Sequence, residues 1–259
     1  MYHPFSIFET IKAAWGVIKK NYISLIIYSV ISLILFQIIS FITSLFFFFD
    51  NTYSKIIVVL LMMLVQSYLT LSFYKLILTL IYKEYYEFEF GDIIPSFKMA
   101  LNFVVIGLCM VVLVGTIIFI NNQLQEYTTL MLILDKVEIL ALAYVLIRSI
   151  FCLCFIVDDD SGPIESLKQS FSITKNNFFK LVVLILIVLI FIAVLLVLIN
   201  GVITLFTTEN TTSEAYILKI AGIFWFALSF PTVQVMIMTT YKRLVYSHQD
   251  VDDDIAETN

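Results

Sequence analysis

Six runs of about twenty apolar residues constrain this chain more than anything else in it. They fall at about 23–49, 56–75 (extensible to 82), 101–120, 137–157, 179–203 and 220–240. Each is long enough to cross a hydrocarbon layer as a helix. None shows the period-two alternation of a membrane barrel strand, and inside lipid every backbone N–H and C=O must be satisfied within the segment, so all six are expected to be helices. Composition agrees. Of 259 residues, 61% are hydrophobic and 14% charged, against roughly 45–50% and 25% in soluble domains. The first run exceeds a signal-peptide core, follows a 22-residue amphipathic lead, and has no small-residue cleavage site before Asp50, so it is read as a retained span.

The fifteen basic residues set the expected orientation, because Lys and Arg near span ends are held on the cytoplasmic side. Eleven fall on one set of connections: Lys12, Lys19 and Lys20, then Lys75, Lys83 and Lys98, then Lys168, Lys175 and Lys180, then Lys242 and Arg243. The alternate side carries only Lys55, Lys136 and Lys219, and Arg148 lies inside a span. Both termini are therefore expected in the cytoplasm. A net charge of −5 does not oppose this, since acidic residues contribute little to the bias.

Two polar-faced leads precede the first and fifth spans. In "ETIKAAWGVIKKNYISL" Glu9, Lys12, Lys19, Asn21 and Leu25 occupy the places taken 156 residues later by Glu165, Lys168, Lys175, Asn177 and Leu181 in "ESLKQSFSITKNNFFKL". Phe8, Ile11, Trp15, Ile18, Tyr22 and Leu25 recur at steps of three or four, as do Ile164, Leu167, Phe171, Thr174, Phe178 and Leu181. That spacing is an apolar stripe on a helix. With lysines on the other faces, each lead is expected to lie on the cytoplasmic membrane surface before turning inward, the rings at the interface and the ammonium groups near anionic headgroups. The second lead has a marked start, with Gly162 as cap, Pro163 at the first helical position and Glu165 facing the positive helix end. A looser third copy, "DIIPSFKMALNFVV", would extend the pattern to three parallel units of one surface helix and one two-span hairpin.

The expected architecture is thus all-α: a six-helix membrane bundle over 1–246, interfacial helices near 5–22, 88–100 and 163–178, and a disordered acidic cytoplasmic tail at 247–259. The stretch "IVDDDSGPIESLKQSFSITKNNFFKLVVLI", taken with Arg148 and the amphipathic N-terminal lead, resembles the six-span bacterial domain attached to some glycerophosphodiester phosphodiesterases and found alone in related uncharacterised membrane families. The matching features are an Arg in the fourth span, an acidic patch at its end, Gly-Pro, an amphipathic helix with Ser170, Lys175 and Asn177, and then the fifth span. As a motif the resemblance covers about 35 residues; the phosphodiesterase barrel is not in this sequence. It implies a bacterial inner-membrane protein and carries no chemistry with it.

Arg148 is the most informative single residue. The twelve Leu, Ile, Val and Phe residues between Ile139 and Val157 contribute roughly −4 to −7 kcal/mol to insertion, against about +2.5 to +3.5 for a central Arg. The span inserts with a narrow margin, so the guanidinium is expected either to face a protein-lined groove and bind an anion such as a lipid phosphate, or to snorkel or pair with Gln66, Asn102 or Gln234. Lys168, Lys175, Lys12 and Lys19 are the accompanying candidate lipid contacts. Pro231, near Ser229 and Gln234, is the candidate helix break in the sixth span.

Other chemistry finds no motif. His3 and His248 lack ligand spacing, no HEXXH, G-x-S-x-G or phosphate-binding glycine loop occurs, and Cys109, Cys152 and Cys154 are read as buried thiols within spans. The acidic triplets in "VDDDSGP" and "DVDDDIAE" are read as solvated span ends. "NTT" at Asn210 is a glycosylation sequon only in a secretory pathway. No catalytic residue, cofactor or metal is expected. The expected partners are membrane lipids, with a protein partner or a second copy as the further option, and not nucleic acid. The resulting expectation is a non-enzymatic protein that binds or organises lipids or scaffolds a partner; the alternative is a transporter using polar residues and the Pro231 break.

Overall fold

A computed structural model describes residues 5–46, 52–82, 90–124, 128–206 and 212–256. Every regular element among them is helical: α1 (Ile7–Phe46), α2 (Thr52–Tyr82), α3 (Phe90–Ile93), α4 (Phe97–Gln123), α5 (Thr128–Arg148), α6 (Cys152–Asp158), α7 (Pro163–Lys175), α8 (Phe178–Phe206) and α9 (Thr212–Ala256). Six stretches are long and apolar enough to span a membrane: Ile7–Ser44, Thr52–Tyr82, Gly91–Gln123, Ile133–Asp158, Phe178–Thr204 and Ile217–Val245. Each contains one of the six runs read from the sequence, apart from the outermost residues of the first. The protein is an all-helical, multi-pass integral membrane protein. Several hydroxyls within the spans are absorbed locally, as when Ser29 donates to the Leu25 carbonyl, Thr116 to Val112 and Thr240 to Met236 at 2.6–2.8 Å, whereas Ser32 Oγ and Thr239 Oγ1 are buried without a partner. Such back-bonding keeps a polar side chain affordable where no water reaches.

The chain divides into two compact units. The first comprises residues 1–62, 76–88 and 179–259. In it the lead and first span form one 40-residue helix, α1, with a single non-helical residue, Asn21 (φ −124°, ψ 18°). The Asn21 side-chain amide donates to the Val17 carbonyl at 3.1 Å. Asparagine competes in this way with the helical backbone, which explains why the kink falls there. The lead packs on α9, with Thr10 and Ala14 fully buried. Polar contacts across this unit include Arg243 Nη1 to Glu9 Oε2 at 3.2 Å and Lys180 Nζ to the Phe5 carbonyl at 2.9 Å. Lys242, buried near the end of the same span, donates to the Tyr82 hydroxyl and lies 4.1 Å from that ring's centre.

The second unit comprises residues 63–75 and 89–178. Here α7 is a separate helix, packed on α6, α4 and α5. It starts as its sequence dictates, with Gly162 extended at the N-cap, Pro163 in the first turn and Glu165 at the positive end. It stops at Lys175, and Asn176 and Asn177 form a turn before α8. The helix thus breaks at the position equivalent to Asn21. Ser166, Ser170 and Thr174 are fully buried, so both leads pack through small residues at four-residue spacing.

Three expectations change. The third lead is not a helix over 88–100: residues 83–89 lie outside the described set, α3 is one turn, and Ile94–Ser96 is non-helical around Pro95. Proline disfavours helix in the residue before it and removes a donor, and Ser96 then caps α4 by accepting from Met99 N–H at 3.2 Å. The tail expected to be disordered from 247 is helical as far as Ala256, because no Gly or Pro follows Pro231 and each added residue extends an already nucleated helix; residues 257–259 lie outside the described set. Third, the fourth span, read as one run, is interrupted between Arg148 and Cys152; Pro231 stands inside α9, which is helical on both sides of it.

Candidate functional site

The backbone groups freed at the interruption in the fourth span have an identifiable partner. Ser149, Ile150 and Phe151 form turns, and nothing in their identity, neither Gly nor Pro, demands it. In an unbroken helix Cys152 N–H would bond the Arg148 carbonyl and Phe151 N–H the Ile147 carbonyl. Instead Cys152 N–H reaches back three residues to Ser149 at 3.0 Å, and Ile150 N–H to Ile147 at 3.5 Å. The two groups left over meet one side chain from α7. Ser170 Oγ donates to the Arg148 carbonyl at 2.7 Å and accepts from Phe151 N–H at 3.2 Å. One buried hydroxyl, with no exposed surface, therefore serves an orphan acceptor and an orphan donor.

At that break the Arg148 side chain is 9% exposed. Its guanidinium carbon lies 5.8 Å from the centre of the Tyr144 ring, one turn back on α5, and 5.1 Å from that of Phe171, the residue after Ser170. Tyr144 itself packs against Phe178 at 5.3 Å. Nε is buried without a hydrogen-bond partner, and among the described residues no carboxylate pairs with the group. Two cation–π contacts contribute about 0.5–2 kcal/mol each, while a charged hydrogen-bonding group left unmatched costs about 1–3 kcal/mol or more. The rings offset only part of the desolvation, and the geometry leaves Arg148 short of an anion. Of the polar side chains considered as partners, Asn102 donates to the Ser161 carbonyl at 3.1 Å and Gln66 to Thr70 at 3.3 Å, while Gln234 Oε1 is itself buried without a hydrogen-bond partner.

Phe171 is shared between Arg148 and a groove of about 450 Å³. Cys109, Met110 and Leu113 of α4, Val145 of α5, and Ile164, Leu167 and Lys168 of α7 complete its lining. The wall is apolar apart from Lys168. Cys109, expected as a buried thiol, is exposed on this wall, whereas Cys152 and Cys154 are buried. The "DDDS" connection at the edge of the site is tied down rather than free. Lys98 Nζ pairs with Asp160 Oδ2 at 2.7 Å, and the Ser161 hydroxyl donates to Gln169 Oε1 at 3.0 Å. Asp160 takes the left-handed conformation (φ 51°), which short polar side chains tolerate. Burial, then the neighbouring Glu165, hold the Asp159 carboxyl above its usual range.

The structure thus places Phe171 both against the Arg148 guanidinium and, with Lys168, on the wall of the groove. Lys175 lies exposed at the end of α7, and Lys12 and Lys19 lie exposed on α1 in the other unit. Pro231 lines a small hollow of about 180 Å³ in that unit with Trp15, Tyr22, Phe191 and Leu228. The neighbouring Thr232 hydroxyl donates to the Leu228 carbonyl at 2.8 Å. The sequence reading missed Ser170, Phe171 and Tyr144 as site residues. The available signal was the row Ser166, Ser170, Thr174, a hydroxyl on each turn of one helix face.

Residues 118–258, more than half the chain, match the family model described as the membrane domain of glycerophosphoryl diester phosphodiesterase. The chain belongs to that family. No curated protein and no solved structure matches it. The match takes in the broken fourth span, α7, and the fifth and sixth spans of this membrane domain, so Arg148, Lys168, Ser170 and Pro231 fall within it while Lys12 and Lys19 do not. The matched family is a membrane domain, and its name carries the phosphodiesterase only as the protein to which such domains are attached.

Proposed function

We propose that this membrane domain is non-enzymatic and binds an anionic phospholipid in the second unit, its phosphate drawn to Arg148 and Lys168 and an acyl chain in the groove beside Phe171. The observation that carries the reading is the buried guanidinium held between two rings with Nε unmatched, next to an apolar groove whose one charged lining residue is a lysine. A cation held in hydrocarbon with no counter-charge among the described residues favours an anionic ligand, and an apolar trough beside it favours one that carries an acyl chain. On this reading both termini and the two leads lie on the cytoplasmic side, which the lysine bias and the anionic lipid of that leaflet support. The exposed Lys12, Lys19 and Lys175 then hold the leads against that surface.

Native mass spectrometry of the full chain released from nanodiscs of mixed phosphatidylglycerol and phosphatidylcholine tests this. Wild type is expected to retain phosphatidylglycerol preferentially, Arg148→Ala to lose the preference, and inorganic phosphate not to displace the lipid. Equal retention of both lipids by the wild type would refute the reading.

A further inference from the structure

Two consecutive residues of α7 grip the same arginine at two points. Ser170 holds the Arg148 carbonyl and the Phe151 N–H beyond it, while Phe171 lies under the guanidinium. From this we infer that Ser170 is a positioning residue for the anion site: its hydroxyl keeps the fourth span open at Ser149–Phe151 and so couples the seating of α7 to the place of Arg148. The inference rests on the lipid-site reading above for its consequence, although the coupling itself rests on geometry alone.

The chain contains its own control. At the equivalent place in the first lead stands Ala14, as completely buried as Ser170. The span against which that lead packs, α9, carries no interruption. A hydroxyl is therefore found where the facing span is broken and a methyl where it is whole. The adjacent equivalent pair, Thr10 and Ser166, shows that hydroxyls as such are tolerated in both leads: Thr10 Oγ1 donates to the Ser6 carbonyl and Ser166 Oγ to Pro163, each within its own lead segment. Ser170 differs in bonding across to another segment. It also differs in using both of its hydrogen-bonding roles there, which a helix break supplies and an intact helix does not.

If Ser170 loses its hydroxyl, Cys152 N–H, four residues on, can meet the Arg148 carbonyl in its place, as in an unbroken helix. Re-forming that bond rewinds the span across the break and turns the residues on its two sides relative to one another. Arg148 and Val145 lie before the break, and α6, packed on the α7 that carries Phe171, lies beyond it, so rewinding alters how Arg148 meets Phe171. The hydroxyl thus selects between two hydrogen-bonded states of the same seven or so residues, and α7 carries the selector, one groove wall and Lys168 together.

The experiment uses the full chain in phosphatidylglycerol nanodiscs, with Ser170→Ala, Ser170→Thr and Arg148→Ala, reading amide hydrogen exchange over 148–155 and the ratio of phosphatidylglycerol to phosphatidylcholine retained. Ser170→Ala is expected to change exchange at Phe151 or Cys152 at least tenfold and to reduce the lipid ratio severalfold, while Ser170→Thr, which keeps the hydroxyl, recovers most of both. Unchanged exchange in Ser170→Ala would overturn the coupling, as would altered exchange with a wild-type lipid ratio. A wild-type ratio in Arg148→Ala would instead sink the lipid-site reading, leaving the exchange result to judge the Ser170 bond by itself. Circular dichroism confirms helix content in each variant, and a Ser170→Thr protein that folds yet behaves as Ser170→Ala also counts against the proposal.

Discussion

The stretches 9–25 and 165–181, which hold the lead of α1 and most of α7, share five identical residues in register and the same apolar stripe, yet the two leads do different things. The first runs into its span through a kink at Asn21 and packs on an unbroken helix; the second stops at Lys175 and packs on a broken one. Even the shared glutamate differs. Glu9 pairs with Arg243 at 3.2 Å, whereas Glu165 adds to the charge that holds the Asp159 carboxyl up. A repeated sequence here supplies a docking helix of fixed shape, and the residue at one small position, Ala14 or Ser170, decides whether it only docks or also holds its neighbour open.

Changes at the small buried faces are expected to have the largest effects. Ala14→Leu places three extra carbons where no surface is exposed, and overpacking of this kind costs about 1–3 kcal/mol or more. Thermal unfolding in detergent should register it strongly, while Phe179→Ala, at a residue 82% exposed, should leave the midpoint unchanged. If the two behave alike, the small-residue faces are not the packing surfaces.

Exchanging the two residues sharpens the contrast further. Ser170→Ala orphans a buried donor and a buried acceptor, which at about 1–3 kcal/mol each predicts a loss of about 2 kcal/mol or more unless the span rewinds. Ala14→Ser adds a hydroxyl that can bond back to its own helix, and is expected to cost less than about 1 kcal/mol. Unfolding midpoints of the pair measured side by side check the asymmetry; equal losses would remove it.

Smaller again is Asn21→Leu. Leucine favours helix over asparagine by a few tenths of a kcal/mol, so stability should scarcely move while α1 straightens. Spin-label distances between positions 12 and 34 should lengthen in the variant. An unchanged distance would mean that packing, not Asn21, sets the bend.

The smallest effect concerns Asp159. Its pKa is raised in the folded state, so the folded protein holds that proton more tightly than the unfolded chain does. This favours folding at low pH, and the advantage is lost as pH rises through the folded pKa. Asp159→Asn should therefore be slightly more stable than wild type at pH 7 and lose that advantage when both are measured near pH 3.5. Melting curves at the two pH values decide it, and the opposite ordering would contradict the burial and Glu165 effects.

How far the sequence could be read follows from which forces it encodes locally. Span length and hydropathy set the six long helices, and Gly162-Pro163 and the asparagines mark where α7 starts and where both leads end. The apolar stripe was legible too, but its meaning depends on solvent. Phe8, Trp15 and Tyr22 are 54–76% exposed, because lipid tails are as apolar as any core and helices associate instead through small residues. Thr10, Ala14, Ser166 and Ser170 therefore carry the packing, and a hydrophobic pattern passes over them. The break after Arg148 lies beyond local reading altogether: "IRSIFCLC" has no breaker, and the groups freed there are met by a hydroxyl arriving from a helix some twenty residues on. Pro231, the strongest local breaker, sits in a continuous helix. Arg148 itself was conspicuous by charge, whereas its ring partners came to light only through the fold.

The most direct test of the central claim is photocrosslinking with phosphatidylglycerol that carries a carbene precursor in its acyl chain, followed by peptide mapping of the full-length protein in a membrane. The account predicts adducts on Met110, Leu113 and Leu167 in the wild type, and their loss in Arg148→Ala with other lipid-facing adducts unchanged. Adducts on those three residues at equal yield in both proteins would contradict it.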